Sequence, residues 1–359
     1  MIDIVIIFIK AVVFINAILI LTSLLTWMER KQSAVMQDRI GANRAPIFGL
    51  RAFGLFHIFA DALKMFFKED FIPPRGDKFL HTIAPLIALF FALMSFASIP
   101  FGDAIQVGGR RIELQILPLN VGLLFIFAMM SMGIYGNFLA GFSSNNKFAF
   151  LGGLRASSQM ISYEITMGAT LVGLLMIFGT LDLAHLNRQQ GELLWGWLPK
   201  WGIVLQPLGF VLFLVAGIAE TKRVPFDLPE GESEIIGYFV EYSSMKFGAF
   251  FMTDFIETVL VAALTATLFF GGWQVPYLQA DGFYFPWDSH WSLSHPVVVL
   301  LQVASFGAKV VFFCWFLLLI RWTLPRFRYD QLMHLGWKML LPLSVLNIIV
   351  TGLVLVSRQ

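Results

Sequence analysis

The sequence predicts an all-α polytopic membrane protein, with eight transmembrane helices and an amphipathic helix lying in the membrane interface. Of its 359 residues, 58 % are hydrophobic and only 13 % charged, whereas soluble domains carry about 25 % charge. The mean hydropathy is +0.76. A water-bathed core cannot hide 38 Phe and 10 Trp in a chain this poor in surface charge. Apolar runs also recur at the length a helix needs, about 20 residues, to cross about 30 Å of hydrocarbon with its backbone satisfied internally.

Taken in order, the first run covers 4–26. It holds Lys10 inside rather than in front, and it meets Glu29-Arg30-Lys31 without a small-residue cleavage site. It therefore reads as a retained span and not a signal peptide. The connection that follows is too long for a turn, and its segment 47–69 mixes charge with Phe and Leu. His57, Asp61, Lys64 and Lys68 recur at helical spacing, with Phe53, Phe56, Phe59, Leu63, Phe66 and Phe67 around the rest of the circumference. That pattern places a helix in the interface. Further spans are expected at 79–100, 118–142, 158–181, 203–220 (the shortest), 246–271, 297–320 and 338–356. An acidic loop covers 221–245, and the whole of 1–359 forms one integral-membrane domain.

Orientation follows from basic residues, which resist translocation. The connections after spans one, three, five and seven hold 17 Lys and Arg, against five in the other connections and the C-terminus. The odd loops are expected in the cytoplasm and both termini outside. The sixth connection carries no Lys or Arg but holds Trp273, Tyr277, Tyr284, Trp287 and Trp291, as an outer aromatic belt does.

An ionised carboxylate in mid-membrane costs on the order of 3 kcal/mol, so such residues need pairing, hydration or protonation. Glu164, Glu220, Asp254 and Glu257 fall in or at the ends of spans. Burial and mutual repulsion suit such groups to carrying protons; ion pairs with Lys246 or Lys309 are the structural alternative. Six carboxylates between Glu220 and Glu241 crowd the fifth connection, facing Lys222 and Arg223, while Pro225 and Pro229 bar a continuous helix.

Other chemistries are excluded or lack a motif. A net charge of +2 gives no basic excess for nucleic acid. Cys314 stands alone, so the chain cannot build a disulfide framework or a cysteine-ligated cluster by itself. The sequence has no phosphate-cradling glycine loop, and its six His show no metal-site spacing. Any electron carriers belong to partners.

The stretch Pro225-Phe-Asp-Leu-Pro-Glu-Gly-Glu-Ser-Glu234 is joined by Gln159-Met-Ile-Ser-Tyr-Glu164 and Pro325-Arg-Phe-Arg-Tyr-Asp-Gln-Leu-Met-His334. Together these resemble the family of H subunits of proton-pumping NADH:quinone oxidoreductase, respiratory complex I. Met36-Gln-Asp-Arg-Ile-Gly-Ala-Asn-Arg44, Ala60-Asp-Ala-Leu-Lys64 and Ser143-Ser-Asn-Asn-Lys147 extend the resemblance over most of the chain. It implies a translocase component that forms the quinone chamber and couples quinone reduction to proton pumping, with no complete active site or redox cofactor of its own. Quinone is the implied substrate. The implied partners are quinone-site and iron-sulfur subunits of a peripheral arm, which carry FMN and the clusters, together with small and antiporter-like membrane subunits in a bacterial inner membrane. By position, Glu29, Arg30, Arg39, Asp61, Lys64 and Phe226 are implied at the quinone. Tyr163, Glu164, Glu220, Asp227, Glu230, Glu232, Glu234 and Asp254 are implied in the proton route, with Arg223, Arg321 and Arg326 compensating charge and no metal.

Three departures from the family pattern stand out. His57-Ile58 replaces a Gln-Pro, the chain is one residue shorter after Glu234, and Asp254 stands where Glu is usual. The alternatives are the equivalent subunit of a membrane hydrogenase or other-donor dehydrogenase, and a secondary transporter. The latter predicts internal repeats, and the acidic fifth connection has no counterpart in the basic first one.

Overall fold

The computed structural model describes residues 2–107, 109–229, 231, 235, 237–279, 281–284 and 290–357. Its helices are α1 (Ile2–Met36), α2 (His57–Phe67), α3 (Lys78–Met94), α4 (Gly122–Ser143), α5 (Lys147–Phe178), α6 (Leu183–Gln190), α7 (Gly202–Leu205), α8 (Pro207–Glu220), α9 (Ser244–Phe269), α10 (His295–Thr323), α11 (Tyr329–His334) and α12 (Leu341–Ser357). A π-helical turn, Leu335–Leu340, joins α11 to α12. Short antiparallel strands occur only in the connections after α3, α6 and α9 among the described residues: β1 (Ile105–Val107) with β2 (Arg110–Ile112), β3 (Leu193–Leu194) with β4 (Leu198–Pro199), and β5 (Leu278–Gln279), β6 (Gly282–Tyr284) and β7 (His290–Ser292) in one sheet.

Among the described residues, seven helical stretches are long and apolar enough to cross a membrane: Ile4–Met36, Lys78–Ser98, Gly122–Ser143, Lys147–Phe178, Ser244–Phe269, His295–Thr323 and Tyr329–Ser357. The protein is thus an all-α multi-pass membrane protein. The fifth expected span, 203–220, is broken at Gln206 and Pro207, leaving α8 with 14 residues, about 21 Å at helical rise. Other bounds shift where local chemistry sets them. Asp77 caps α3 by accepting from the Phe79 and Leu80 amides at 2.9 and 3.0 Å. Asn146 accepts from the Phe148 amide at 3.0 Å, starting α5 well before 158, and Gly179 ends it at φ +64°.

The segment 47–69 is α-helical only over His57–Phe67, with one distorted 3-10 turn at Ala52–Gly54. Ile47 and Leu50 form an isolated bridge, and Phe48, Gly49, Ala52, Phe53 and Gly54 all have positive φ. Gly54 has no substitute, because a Cβ there would fall 1.9 Å from the Ala42 carbonyl oxygen. This turn folds back over α1, whose Trp27 Nε1 donates to the Phe53 carbonyl at 3.0 Å.

Helix α9 sits at the centre, packed by α1, α3, α8 and α10, while α5 carries α4, α8 and α12. Two-thirds of the apolar window of α9 (67 %) is buried, against 6 % for α1. Small residues let backbones approach, as where Gly136 meets Ala88 and Gly141 meets Gly153.

The strand-bearing connections gather at one end. Lys10 Nζ donates to the Glu113 and Gln115 carbonyls at 3.2 and 2.7 Å. Arg188 pairs with Asp103 at 3.0 Å, and Gln190 accepts from the Gly202 and Gly271 amides. Lys309 Nζ donates to the Phe270, Gly272 and Gln274 carbonyls at 2.8, 2.9 and 2.6 Å. This hairpin end closes the bundle opposite the acidic loop.

Candidate functional site

At the acidic-loop end a cavity of about 390 Å³ opens between α1, α2 and the first half of α9. Its walls are mostly apolar, with Met65 and Phe66 from α2 and Phe247, Phe251 and Met252 from α9. Gly248 leaves room there, its nearest neighbour being the Met65 side chain. The polar groups are few and placed together: Arg30 from α1 pairs with Asp61 from α2 at 2.5 Å, and Lys64 stands one turn on. Serine hydroxyls fasten α2 to α9, Ser244 donating to the Met65 carbonyl at 2.9 Å and Ser243 to the Glu69 carbonyl. An apolar pocket with one polar corner suits a flat, greasy ligand bearing a hydrogen-bonding head.

The remaining residues assigned to the quinone lie elsewhere. Glu29 faces away from the cavity and accepts from Arg223 at 3.0 Å and from Arg321. Arg39 lies past the end of α1, donating to Gln37 and Ser33. Phe226 is buried between Tyr163 and Phe327, at centroid distances of 6.2 and 5.4 Å.

A buried polar chain runs beside the cavity. Lys222, 4 % exposed, bridges Asp254 at 3.0 Å and Glu257 at 3.2 Å. The spacing i, i+3 puts both carboxylates on adjoining parts of one helix face, where one ammonium reaches both. Glu220, the last residue of α8, is 1 % exposed, and neither of its oxygens has a hydrogen-bond partner among the described residues. It shares with Glu257 and Ser95 a cavity of about 10 Å³, room for about one water. Glu164 on α5 accepts from Ser131 on α4 and borders an open groove of about 620 Å³ that also holds Tyr135, Ser157 and Ser158. Tyr163 turns the other way and donates to the Leu332 carbonyl at 2.8 Å.

Asp227 pairs with Arg326 at 2.8 Å. Of the three charge-compensating arginines, Arg326 thus serves the acidic loop, while Arg223 and Arg321 serve Glu29. Arg223 also lies over the Phe255 ring at 3.7 Å. Glu230, Glu232 and Glu234 lie outside the described residues. Among the described residues, no group of three His, Cys, Asp or Glu gathers as a metal site.

The sequence offers Lys246 and Lys309 as partners for the intramembrane acids. The structure gives Lys246 to Asp70 at 2.9 Å and Lys309 to backbone carbonyls, so neither neutralises Asp254 or Glu257. Lys222 does that, and its signal is its position two residues after Glu220 at the mouth of a span.

Residues 9–352 match the family model described as NADH dehydrogenase. The chain is 45 % identical over 328 residues to an NADH-quinone oxidoreductase H subunit of Cytophaga hutchinsonii, covering 91 % of this chain and 90 % of that protein. It is 44 % identical over 354 residues to the NADH-quinone oxidoreductase H subunit of Flavobacterium psychrophilum, covering 96 % of each. To the corresponding H subunit of Thermomicrobium roseum it is 43 % identical over 346 residues, 95 % of this chain and 94 % of that one.

Proposed function

The chain belongs to the NADH dehydrogenase family, and from that premise we propose that it is the membrane subunit of a proton-translocating NADH:quinone oxidoreductase in which quinone chemistry is coupled to proton movement. One observation carries the reading. Helix α9 lines the apolar cavity with Phe251 and Met252 and, within the next turn and a half, holds Asp254 and Glu257 on Lys222. A single rigid element therefore touches both the place for a quinone head and a buried acid pair.

In this reading the Arg30–Asp61 corner, with Lys64, orients the quinone head. A change of charge there alters the balance between Glu29 and its two arginines, one residue away on α1. Arg223 adjoins Lys222 in sequence, so the change passes to Lys222, Asp254 and Glu257 and on to Glu220 and Glu164. Repulsion between closely placed carboxylates makes their proton occupancy sensitive to such a change. Electrons reach the quinone from FMN and iron-sulfur clusters on partner subunits, and protons leave toward antiporter-like membrane subunits. The odd-numbered connections face the cytoplasm of a bacterial inner membrane and both termini face the periplasm, as the basic residues direct.

The test uses two variants of the intact complex. Asp61→Asn is expected to raise the KM for quinone. Glu220→Gln is expected to lower protons moved per quinone reduced while electron input from NADH persists. Full pumping in Glu220→Gln at unchanged rate would remove that residue from the route, and an unchanged quinone KM in Asp61→Asn would move the ligand out of this cavity.

A further inference from the structure

His81, in the first turn of α3, lies outside both the cavity and the acid chain, and it is fully buried. Its ring lies flat on Tyr242, with centroids 3.8 Å apart and planes 7° from parallel. Nε2 carries the proton, since it can only donate to the Glu241 backbone carbonyl at 3.3 Å. Nδ1 has no hydrogen-bond partner among the described residues. The Tyr242 hydroxyl shares a hydrogen bond with the Ser143 hydroxyl at 3.1 Å, and the Glu241 carboxylate accepts from Asn146 Nδ2 at 2.7 Å.

Groups from α3, α4 and the head of α5 thus hold segment 237–243, through which the chain returns from the acidic loop to α9. Behind this segment Tyr238, Tyr242 and Phe250 pack on Ala84, Ala88, Ala140 and Ala156, a small core separate from the main one. Thus His81 fixes the register at which the acidic loop rejoins the helix that carries Asp254 and Glu257.

We propose that His81 is a proton-operated clamp on this return segment, closed when the imidazole is neutral and released when it is protonated. A second proton at Nδ1 creates a donor without an acceptor inside a dry stack, together with a charge. The titratable groups that act on the ring are Glu241 and Tyr242 on the return segment, Lys246 on α9 and Asp70 in the connection before α3, with Asp77 and Lys78 at the head of its own helix. Lys246 and Asp70 are already paired with each other, the Asp77 carboxylate caps α3, and Glu241 is bound by Asn146. None of these carboxylates hydrogen-bonds Nδ1 in the closed arrangement, so the new N–H has no acceptor there. Because the closed clamp binds fewer protons than the open one, lowering pH below the ordinary range of a released imidazole, about 6.5, progressively favours the open form.

The inference rests on the proposed role of the acidic loop, so its primary test does not depend on pumping. Amide hydrogen exchange of residues 237–243 is measured in the purified intact complex at pH about 6 and about 7.5, either side of the imidazole range, with intrinsic rates divided out. Wild type is expected to exchange severalfold faster at the lower pH. His81→Phe, which keeps a ring on Tyr242 but cannot be protonated, is expected to lose that difference. His81→Gln, which keeps a donor, serves if the Phe variant does not assemble. The same pH response in wild type and variant, or none in wild type, overturns the clamp. As a second readout, protons moved per quinone reduced should fall toward the lower pH in wild type and stay level in His81→Phe. Absence of pumping in both would count against the proposed function and leave the exchange result to decide the clamp.

Discussion

The two ends of the bundle use their cations differently. At the hairpin end Lys10 and Lys309 give their donors to backbone carbonyls, five in all. At the acidic-loop end Lys222, Arg223, Arg321 and Arg326 meet carboxylates. The side-chain ion pairs Arg188–Asp103 and Lys200–Glu192, also at the hairpin end, are substantially solvent-exposed. Carbonyls do not titrate and carboxylates do, so one end is a fixed cap while the other can change its charge. Lys222 is buried whereas Lys10 and Lys309 are only partly so, and the type of partner further separates a structural lysine from one in a responsive network.

The comparison can be broken most severely at Lys222. Lys222→Met leaves Asp254 and Glu257 facing each other without their cation, and removing one partner from a buried pair costs about 3–5 kcal/mol. We expect the assembled complex to be largely lost from membranes on native gels, with Lys222→Arg retaining most of it. Normal assembly and pumping in Lys222→Met would erase the contrast between the two ends.

Next in size is Glu220→Gln, isosteric but unable to carry a proton. Pumping should fall about a hundredfold, the lower reach of proton-transfer effects, while assembly is unchanged.

Lys309→Met sharpens the comparison from the other side. It removes a donor from three carbonyls and should cost about 1–3 kcal/mol, seen as a melting temperature lower by about 2–4 °C or more, with protons per electron unaltered. A changed pumping ratio would make the cap part of the machinery. Smallest is Arg188→Ala, whose exposed pair is worth about 1 kcal/mol or less; its thermal shift should be barely measurable, and a large one would mean that the pair is coupled to the carbonyl network.

Much of this is legible in the sequence because the membrane imposes simple rules. Runs of about 20 apolar residues must be helices, and Glu164, Glu220, Asp254 and Glu257 stand out by their cost alone. The Arg30–Asp61–Lys64 corner is implied by the family resemblance, and α2 keeps the helical spacing of His57, Asp61 and Lys64, while Lys68 lies just past its end in extended backbone. What cannot be read depends on contacts distant in sequence. Lys222 reaches Asp254 and Glu257 only after α8 and α9 pack together, and Arg321 reaches Glu29 from the far end of α10. The segment before α2 misleads for a local reason: its Phe and Leu spacing mimics a helix, while Gly49 and Gly54 permit the positive-φ turn that forms instead. The break at Gln206-Pro207 is visible as a proline inside the weakest run, and it shortens α8 as a proline at the first helical turn does.

That short helix has a consequence for how the protein is made. A span entering the bilayer on its own needs about 17 residues at the least, and α8 has 14. It is held by packing on α5, α9 and α12, so we expect its place in the membrane to be won after those neighbours have arrived and not at the moment of its synthesis. Glu220, at its tip, is carried to its buried position in the same late step. On that order of events, Glu220, whose oxygens have no hydrogen-bond partner among the described residues, stays out of the lipid until the pocket that tolerates it exists.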